Sequence, residues 1–281
     1  MQKRNKYVAI IQARVGSSRL PGKCLLPLGD CDSVIEYIVK NISLSEYIDE
    51  ICIAFPNTFE NEKIKEVCNT IKGKYNKPIY WYAGSENNVL DRITQAANYF
   101  KVANENKLSE NGELFAVEIT ADCPFVSAFT IDTICKCIEV CPEIDYMSNT
   151  VTRCWPDGFD VQIYRIHILN AANKLLLEDN KHREHGGWNI VNYSLELITC
   201  SELHYCPTII NYAPMRDIYF HPEWSVTLDT KEDYAVICDI IALLGENYDR
   251  NAIDVEVLML LMKDPSVLDK NKNIRRNIPG V

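Results

Sequence analysis

The residues best equipped for chemistry stand together near the start of the chain, in Gln12-Ala13-Arg14-Val15-Gly16-Ser17-Ser18-Arg19-Leu20-Pro21-Gly22-Lys23. Glycines let a backbone approach a ligand closely, and unpaired N–H groups beside cationic side chains bind phosphate. On composition alone the stretch reads equally as a polar turn carrying surface cations, since short basic loops are common. Its spacing excludes two phosphate motifs. A P-loop needs four residues between its glycines and then Lys-Ser/Thr; here five residues separate Gly16 from Gly22, and Cys24 follows Lys23. The dinucleotide pattern G-x-G-x-x-G is absent from this position as well. What remains is a cationic loop between a strand and a helix, with the Pro21-Gly22 turn placing Lys23 at its far end. It suits a nucleoside triphosphate whose phosphates are reached by Arg14, Arg19, Lys23 and backbone amides.

Acids and further cations lie downstream. Asp122 stands in Thr120-Ala121-Asp122-Cys123-Pro124, just past the apolar run Leu114 to Ile119, and Asp229 closes Val226-Thr227-Leu228-Asp229. Each is by itself as readily a helix cap or a solvated loop acid as a ligand. Asp160 either binds a metal or acceptor or simply ends a turn before Val161. Arg153, His182, Arg183 and His185 supply positive charge to the second half of the chain, and His185 serves equally as a packing residue. The 12 cysteines include no C-x-x-C pair. Buried apolar thiols are therefore expected rather than a zinc site.

The elements that must position these groups follow from periodicity. Short apolar runs at Tyr7–Ala13, Glu50–Phe55, Pro78–Tyr82 and Leu114–Ile119 alternate with helical patterns through Val34–Ile42, Ile64–Ile71, Leu90–Phe100 and Ile131–Ile138. Buried strands alternating with helices predict a parallel sheet covered on both faces, with ligands beyond the strands' carboxyl ends. The opening loop and the Asp122 turn then share one rim. Val102 to Gly112 reads as a surface loop. After Pro142 the rhythm changes: strands are expected at Asp145–Ser148, Asp160–Tyr164 and Val226–Thr230, and helices at 166–177, 231–244 and 251–262. The aromatic-rich stretch from Trp188 to Trp224 resists assignment. No linker divides the chain, so 1–281 reads as a single domain with 150–224 as a subregion.

A hydrophobic content of 47% and a charged content of 24% are those of a soluble globular chain, and a net charge of −10 argues against broad nucleic-acid binding. A concentrated basic loop on an acidic protein points instead to a small anionic ligand. The start Met-Gln-Lys-Arg-Asn-Lys leads into too short an apolar run for a signal peptide or a membrane span, so a reducing, cytoplasmic setting is expected.

The segment from Gln12 to Lys23 resembles the signature of cytidylyltransferases of the spore-coat polysaccharide biosynthesis protein F type, relatives of the enzymes that activate Kdo and sialic acids as CMP-sugars. The likeness continues in order through Gly84-Ser85-Glu86-Asn87-Asn88-Val89-Leu90-Asp91-Arg92 and Ile119-Thr120-Ala121-Asp122-Cys123-Pro124. Ser148-Asn149-Thr150, Pro156-Asp157-Gly158-Phe159-Asp160-Val161, Arg183-Glu184-His185 and Val226-Thr227-Leu228-Asp229-Thr230 extend it. Two stretches depart from the family: Gly186-Gly187-Trp188-Asn189 where a Thr-Pro-Tyr-type helix is usual, and Gly29-Asp30-Cys31-Asp32-Ser33 before the first helix. The first lies where an acceptor sugar is expected.

The resemblance implies a three-layer, mostly parallel, Rossmann-like sheet of the nucleotide-diphospho-sugar transferase kind, with a small inserted dimerisation or lid region. It implies transfer of CMP from CTP to a small anionic sugar acceptor, Kdo- or nonulosonic-acid-like, with release of pyrophosphate, in a homodimer. Arg14, Lys23 and Asp122 would be catalytic. Gln12, Ala13, Arg14, Gly16, Ser17, Ser18, Arg19, Lys23, Gly84, Ser85 and Asp91 would bind the nucleotide, the last three at cytosine. Asp122 and Asp229 would hold Mg²⁺, and Arg153, Asp160, Arg183 and His185 would meet the acceptor. Arg92 either contributes to that base site or pairs with Asp91 or Glu86. A phosphorylated or phosphonate acceptor fits the same motifs. A nucleotide-sugar-dependent glycosyltransferase would be expected to carry a D-x-D triplet, and Asp122-Cys123-Pro124 lacks the second acid. A catalytically silent nucleotide-sensing subunit would have lost Lys23, Asp122 or the loop arginines, and all are present.

Overall fold

The computed structural model describes residues 5–104, 106, 108, 112–175, 183, 186–192, 203, 205–213 and 220–274. Four strands of mainly apolar sequence form the first half of the sheet: β1 (Lys6–Gln12), β2 (Ile48–Pro56), β3 (Ile79–Gly84) and β4 (Leu114–Thr120). They alternate with α1 (Val34–Ile42), α2 (Glu62–Ile71), α3 (Val89–Asn104) and α4 (Ala128–Val140). The second half supplies shorter strands, β5 (Tyr146–Ser148), β6 (Gln162–Arg165) and β7 (Ile209–Asn211). Helices α5 (Ile166–Leu175), α6 (Gly186–Asn192), α7 (Lys231–Leu244) and α8 (Ile253–Lys263) accompany them.

The seven strands form one sheet in the order β3-β2-β1-β4-β6-β5-β7. β1 to β4 pair in parallel, β6 alone runs against its neighbours, and β5 and β7 return to the common direction. This is a mixed α/β, mostly parallel, Rossmann-like sheet. Alternate residues of β1 and β4 feed two separate cores: Ala9, Ile11, Val117 and Ile119 on one face, Val8, Ile10, Leu114 and Ala116 on the other. Such double-sided burial is why these strands read as continuous apolar runs.

Helix starts follow local side-chain chemistry. Ser33 accepts from the Glu36 amide, Ser127 from that of Thr130, and Thr230 with Asp233 forms a reciprocal capping box before α7. Two expectations from the sequence are corrected. Val102 and Ala103 belong to α3, whose register carries Asn104 inward to the Phe100 carbonyl and Glu50. Residues 226–229 are not a strand. The Val226 amide donates to the Asp157 carbonyl at 2.7 Å and that of Leu228 to the Asp122 carbonyl at 2.8 Å, so the segment stitches two turns together. The stretch after Trp188 resolves into the end of α6, β7 and irregular backbone at its described residues. Among the described residues no helix is long and apolar enough to cross a membrane.

Candidate active site

Beyond the carboxyl ends of β1 and β4 opens a cleft of about 630 Å³. Its first wall is the loop after β1. The Gly22 amide donates to the Val15 carbonyl at 2.9 Å and closes the loop, and the Val15 amide is held by Asn61 Oδ1 at 2.9 Å. The amides of Gly16, Ser17, Ser18 and Arg19 find no partner among the described residues, and the Arg14 guanidinium makes no ion pair there. Free N–H groups beside a free cation form an anion-binding concavity.

Lys23 extends from the far end of this loop into the cleft. Its Nζ lies 2.9 Å from Asp122 Oδ2 and 2.9 Å from Asp229 Oδ1, while Arg19 Nη2 reaches Asp229 Oδ2 at 2.8 Å. Burial works against the charge on Lys23, but the two carboxylates outweigh it and raise its pKa. Burial likewise opposes ionisation of Asp122, and Lys23 overcomes it, lowering that pKa. Two turns bring the acids together. The Asp122 turn is closed by the Cys123 amide on the Thr120 carbonyl at 3.0 Å. Asp229 precedes the capping box of α7; Thr230 and Asp233 do the capping, which leaves the Asp229 carboxylate to Lys23 and Arg19.

Two carboxylates converging on one point suit a hard dication that keeps water and phosphate oxygens as its remaining ligands. The residues present therefore fit Mg²⁺ in kind. Among the described residues no group of three or more His, Cys, Asp or Glu side chains forms a self-sufficient metal cage.

The opposite wall is acidic. Arg153 grips Asp160 with two bonds, Nη1 to Oδ1 at 3.0 Å and Nη2 to Oδ2 at 2.8 Å, and stands 3.4 Å from Asp157. Burial lowers the pKa of Arg153, but Asp160 more than reverses that and raises it. Burial and then the neighbouring Asp160 push the Asp157 carboxyl up to about 6. Gly158 takes a φ of +111°, and a Cβ there would meet the Thr227 amide nitrogen at 2.8 Å. Only glycine lets this turn press against residues 226–227.

The structure gathers Gln12, Ala13, Arg14, Ser17, Ser18, Arg19, Lys23, Asp122, Asp229, Arg153 and Asp160 around the cleft. It places others elsewhere. Gly16 is exposed on the loop, outside the cleft lining. Gly84, Ser85 and Asp91 do not line the cleft either. Asp91 Oδ1 accepts from Gln95 Nε2 at 3.1 Å and Asn173 Nδ2 at 3.0 Å, which makes it a brace between α3 and α5. Arg92 pairs with neither Asp91 nor Glu86; it is fully buried and donates to the Ser85 carbonyl and to Gln12 Oε1. It thus ties the turn after β3 to the end of β1. Burial, with Arg14 nearby, depresses its pKa to about 10. Arg183 is buried away from the cleft lining, with Nη1 3.2 Å from the Asn173 carbonyl. His182 and His185 lie outside the described residues.

Reading the sequence missed Glu118, Tyr146, Asp157 and Gln162 as lining residues. Asp157 sits in a turn that the sequence flags, and Glu118 is an acid inside an apolar strand, a signal in its own right. Cys24 and Cys123 also border the cleft, and burial pushes the Cys24 thiol up to about 12 and that of Cys123 well above its ordinary value. Neither is a thiolate nucleophile at neutral pH.

A rim that sets free amides and a free arginine opposite a lysine-bridged carboxylate pair, on a sheet of this order, defines a nucleotidyl-transferring α/β enzyme. Comparison with known proteins narrows the class. Residues 8–154 match the family model described as cytidylyltransferase, more than half of the chain, and the protein belongs to that family. It is similar to the spore coat polysaccharide biosynthesis protein SpsF of Bacillus subtilis, 26% identical over 267 residues that cover 93% of this chain and 96% of the relative. An uncharacterized protein, MJ1063 of Methanocaldococcus jannaschii, is 27% identical over 276 residues covering 96% of each. Among solved structures, a cytidylyltransferase from Leptospira borgpetersenii shares the fold with a TM-score of 0.74 at 23% identity, over 97% of this chain and 100% of that one. A CMP:2-keto-3-deoxy-manno-octonic acid synthetase complexed with CTP gives a TM-score of 0.52 at 13% identity, over 87% and 100%.

Proposed function

We propose that the cleft transfers the cytidylyl group of CTP to a hydroxyl oxygen of a sugar acid and releases pyrophosphate. The acceptor oxygen forms a bond to the α-phosphorus, the bond from that phosphorus to the bridging oxygen of the β-phosphate breaks, and the hydroxyl proton leaves to solvent. Little covalent help is needed from the protein; positioning and charge neutralisation carry such a step. The observation that carries this reading is the convergence on one rim of Arg14, the amides of Ser17, Ser18 and Arg19, Lys23, Asp122 and Asp229.

In this reading Arg14 and the loop amides hold the β- and γ-phosphates. Lys23 and Arg19 exchange their carboxylate partners for the same oxygens and stabilise the departing pyrophosphate. Asp122 and Asp229 would hold Mg²⁺, which neutralises phosphate charge when bound. Arg92 ties the turn after β3 to Gln12, which lines the cleft, and so fixes the β2–β3 side of the cleft, where the cytosine base lies. The acceptor comes in over Arg153, Asp160 and the β5–β7 side, in the subregion 150–224 of a single domain that also serves a homodimer. The sugar-acid reading draws support from the surface-polysaccharide role in the name of SpsF and from the octonic acid in that of the synthetase.

Pyrophosphate release measured with Mg²⁺, each of CTP, UTP, ATP and GTP, and a panel of Kdo, N-acetylneuraminate and sugar phosphates tests the proposal. Release is expected only with CTP and a sugar acid. Equal release with every nucleotide would remove CTP from the reading, and release with sugar phosphates alone would replace the acceptor class.

A further inference from the structure

The far wall of the cleft holds a donor and an acceptor side by side, and the transfer step uses neither. β4 and β6 pair antiparallel with Glu118 directly opposite Gln162, so both side chains leave the same face of the sheet, and both line the cleft. Glu118 is 3% exposed. The Tyr164 hydroxyl donates to its Oε2, while Oε1 has no hydrogen-bond partner and no lysine or arginine nitrogen within 4.0 Å among the described residues. Gln162 Oε1 accepts from the Tyr146 hydroxyl at 2.9 Å. That bond fixes the amide and leaves Nε2 as a donor without a partner among the described residues. Gly187 closes the arrangement from above: a Cβ there would lie 1.9 Å from Gln162 Oε1 and 2.3 Å from the Tyr146 hydroxyl.

Both atoms open onto the cleft, so a ligand that met the two together would replace water at a fixed donor and a fixed acceptor. Its chemistry follows from what the pair offers. One carboxyl oxygen and one amide N–H match neighbouring hydroxyl groups, each of which both donates and accepts. A phosphate or carboxylate brings only acceptor oxygens and meets the ionised form of Glu118 head-on. Burial pushes the Glu118 carboxyl to about 7, so near neutrality its free oxygen either accepts or, when protonated, donates, and a hydroxyl, which does both, matches either form. The wall also lies on the β4–β6–β5 side of the sheet, across β1 from the β2–β3 side. That is the half away from the turn after β3 assigned to the base.

We propose that Glu118 and Gln162 form the subsite that reads the acceptor's hydroxyl groups, selecting a polyhydroxylated carbon chain over one that bears phosphate at that end. The assignment rests on the cytidylyl-transfer reading, since it takes the other half of the cleft to be filled by CTP.

The test uses the full chain with Mg²⁺ and the α,β-methylene analogue of CTP, and saturation-transfer NMR with ribitol or glycerol 3-phosphate as the probe. Ribitol is expected to show transfer and glycerol 3-phosphate less. Glu118→Leu and Gln162→Leu should each reduce the ribitol signal about fivefold or more, with analogue affinity by calorimetry unchanged within about twofold. Circular dichroism and Tm establish that each variant is folded, and Gln162→Leu decides the matter if Glu118→Leu does not fold. With the analogue bound, a silent ribitol, a stronger glycerol 3-phosphate signal, or ribitol transfer retained in a folded variant overturns the subsite. Lost analogue binding in a folded variant moves the pair to the nucleotide and also overturns it. An analogue that fails to bind the wild-type protein removes the CTP reading, and the subsite with it.

Discussion

The two halves of the cleft are built on opposite electrostatic plans. On the loop side the acids already have cations: Asp122 and Asp229 share Lys23, Arg19 adds to Asp229, and Arg14 is left over. On the far side the acids outnumber the cations. Asp157 and Asp160 share a single arginine, Arg153, and Glu118 has no ion pair among the described residues. One half is therefore prepared for polyanions, whereas the other resists them and offers hydrogen bonds. An enzyme joining a triphosphate to a sugar gains from this asymmetry, because the triphosphate is kept out of the acceptor's place.

The strongest way to break the comparison is at Asp122, where the loop side has its carboxylate pair. Asp122→Asn keeps the shape of the turn and removes one charge. Turnover, followed as pyrophosphate release, is expected to fall roughly 10³-fold, with Tm nearly unchanged. An active variant would remove Asp122 from the reacting centre. Arg14→Ala should come next. It is expected to lower kcat/KM for CTP about 10²-fold and leave the acceptor KM within about twofold, because Arg14 belongs to the polyanion side alone. An equal loss in both KM values would show that the halves are not separate.

How much of this was legible in the sequence depends on whether a feature is local. The loop from Gln12 to Lys23 is contiguous, so its chemistry and its place after a strand could be read together. Asp122 and Asp229 were visible as the ends of apolar runs, although the second run proved to be a stitched connection. Its tie to Lys23, 206 residues away in the chain, comes only with the fold. The far wall was not legible for the same reason. Glu118 faces Gln162 because β6 returns antiparallel between β4 and β5, and a single acid in an otherwise apolar strand does not reveal which neighbour it meets. Arg153 and Arg183 looked like free cations for an anionic acceptor. One proved to be bound to Asp160 seven residues on, and the other to Asn173.

Glu118 also sharpens the comparison through pH. Its pKa of about 7 in the folded chain stands above the ordinary 4.5, burial being the main cause, with Tyr164 and Arg92 pulling the other way. The folded state therefore holds this proton more tightly than the unfolded chain. The cost of ionising Glu118 is absent below about pH 4.5, grows as pH rises, and is complete above about pH 7. Glu118→Gln, which still accepts from Tyr164, removes that dependence. Relative to wild type it should gain about 3 kcal/mol in urea unfolding between pH 4.5 and 8. A constant difference across that range would mean that Glu118 ionises freely and that its burial does not hold the proton.

The smallest effect asks what Lys23 does before substrate arrives. Its ammonium sits at the point on which Asp122 and Asp229 converge, 2.9 Å from each. A divalent cation binding there must first displace a matched charge, so the free protein should hold metal weakly. Incoming triphosphate would give Lys23 other oxygens and release the carboxylates, coupling metal entry to nucleotide entry. Lys23→Ala breaks that link in one direction: it leaves two carboxylates without their shared cation, a costly arrangement that a dication relieves. Mn²⁺ titrated into the nucleotide-free protein and followed by electron paramagnetic resonance should bind roughly tenfold more tightly to the variant, even as turnover falls. Unchanged Mn²⁺ affinity would mean that the metal does not use the Asp122–Asp229 pair, and the loop side would then owe its charge balance to lysine and arginine alone.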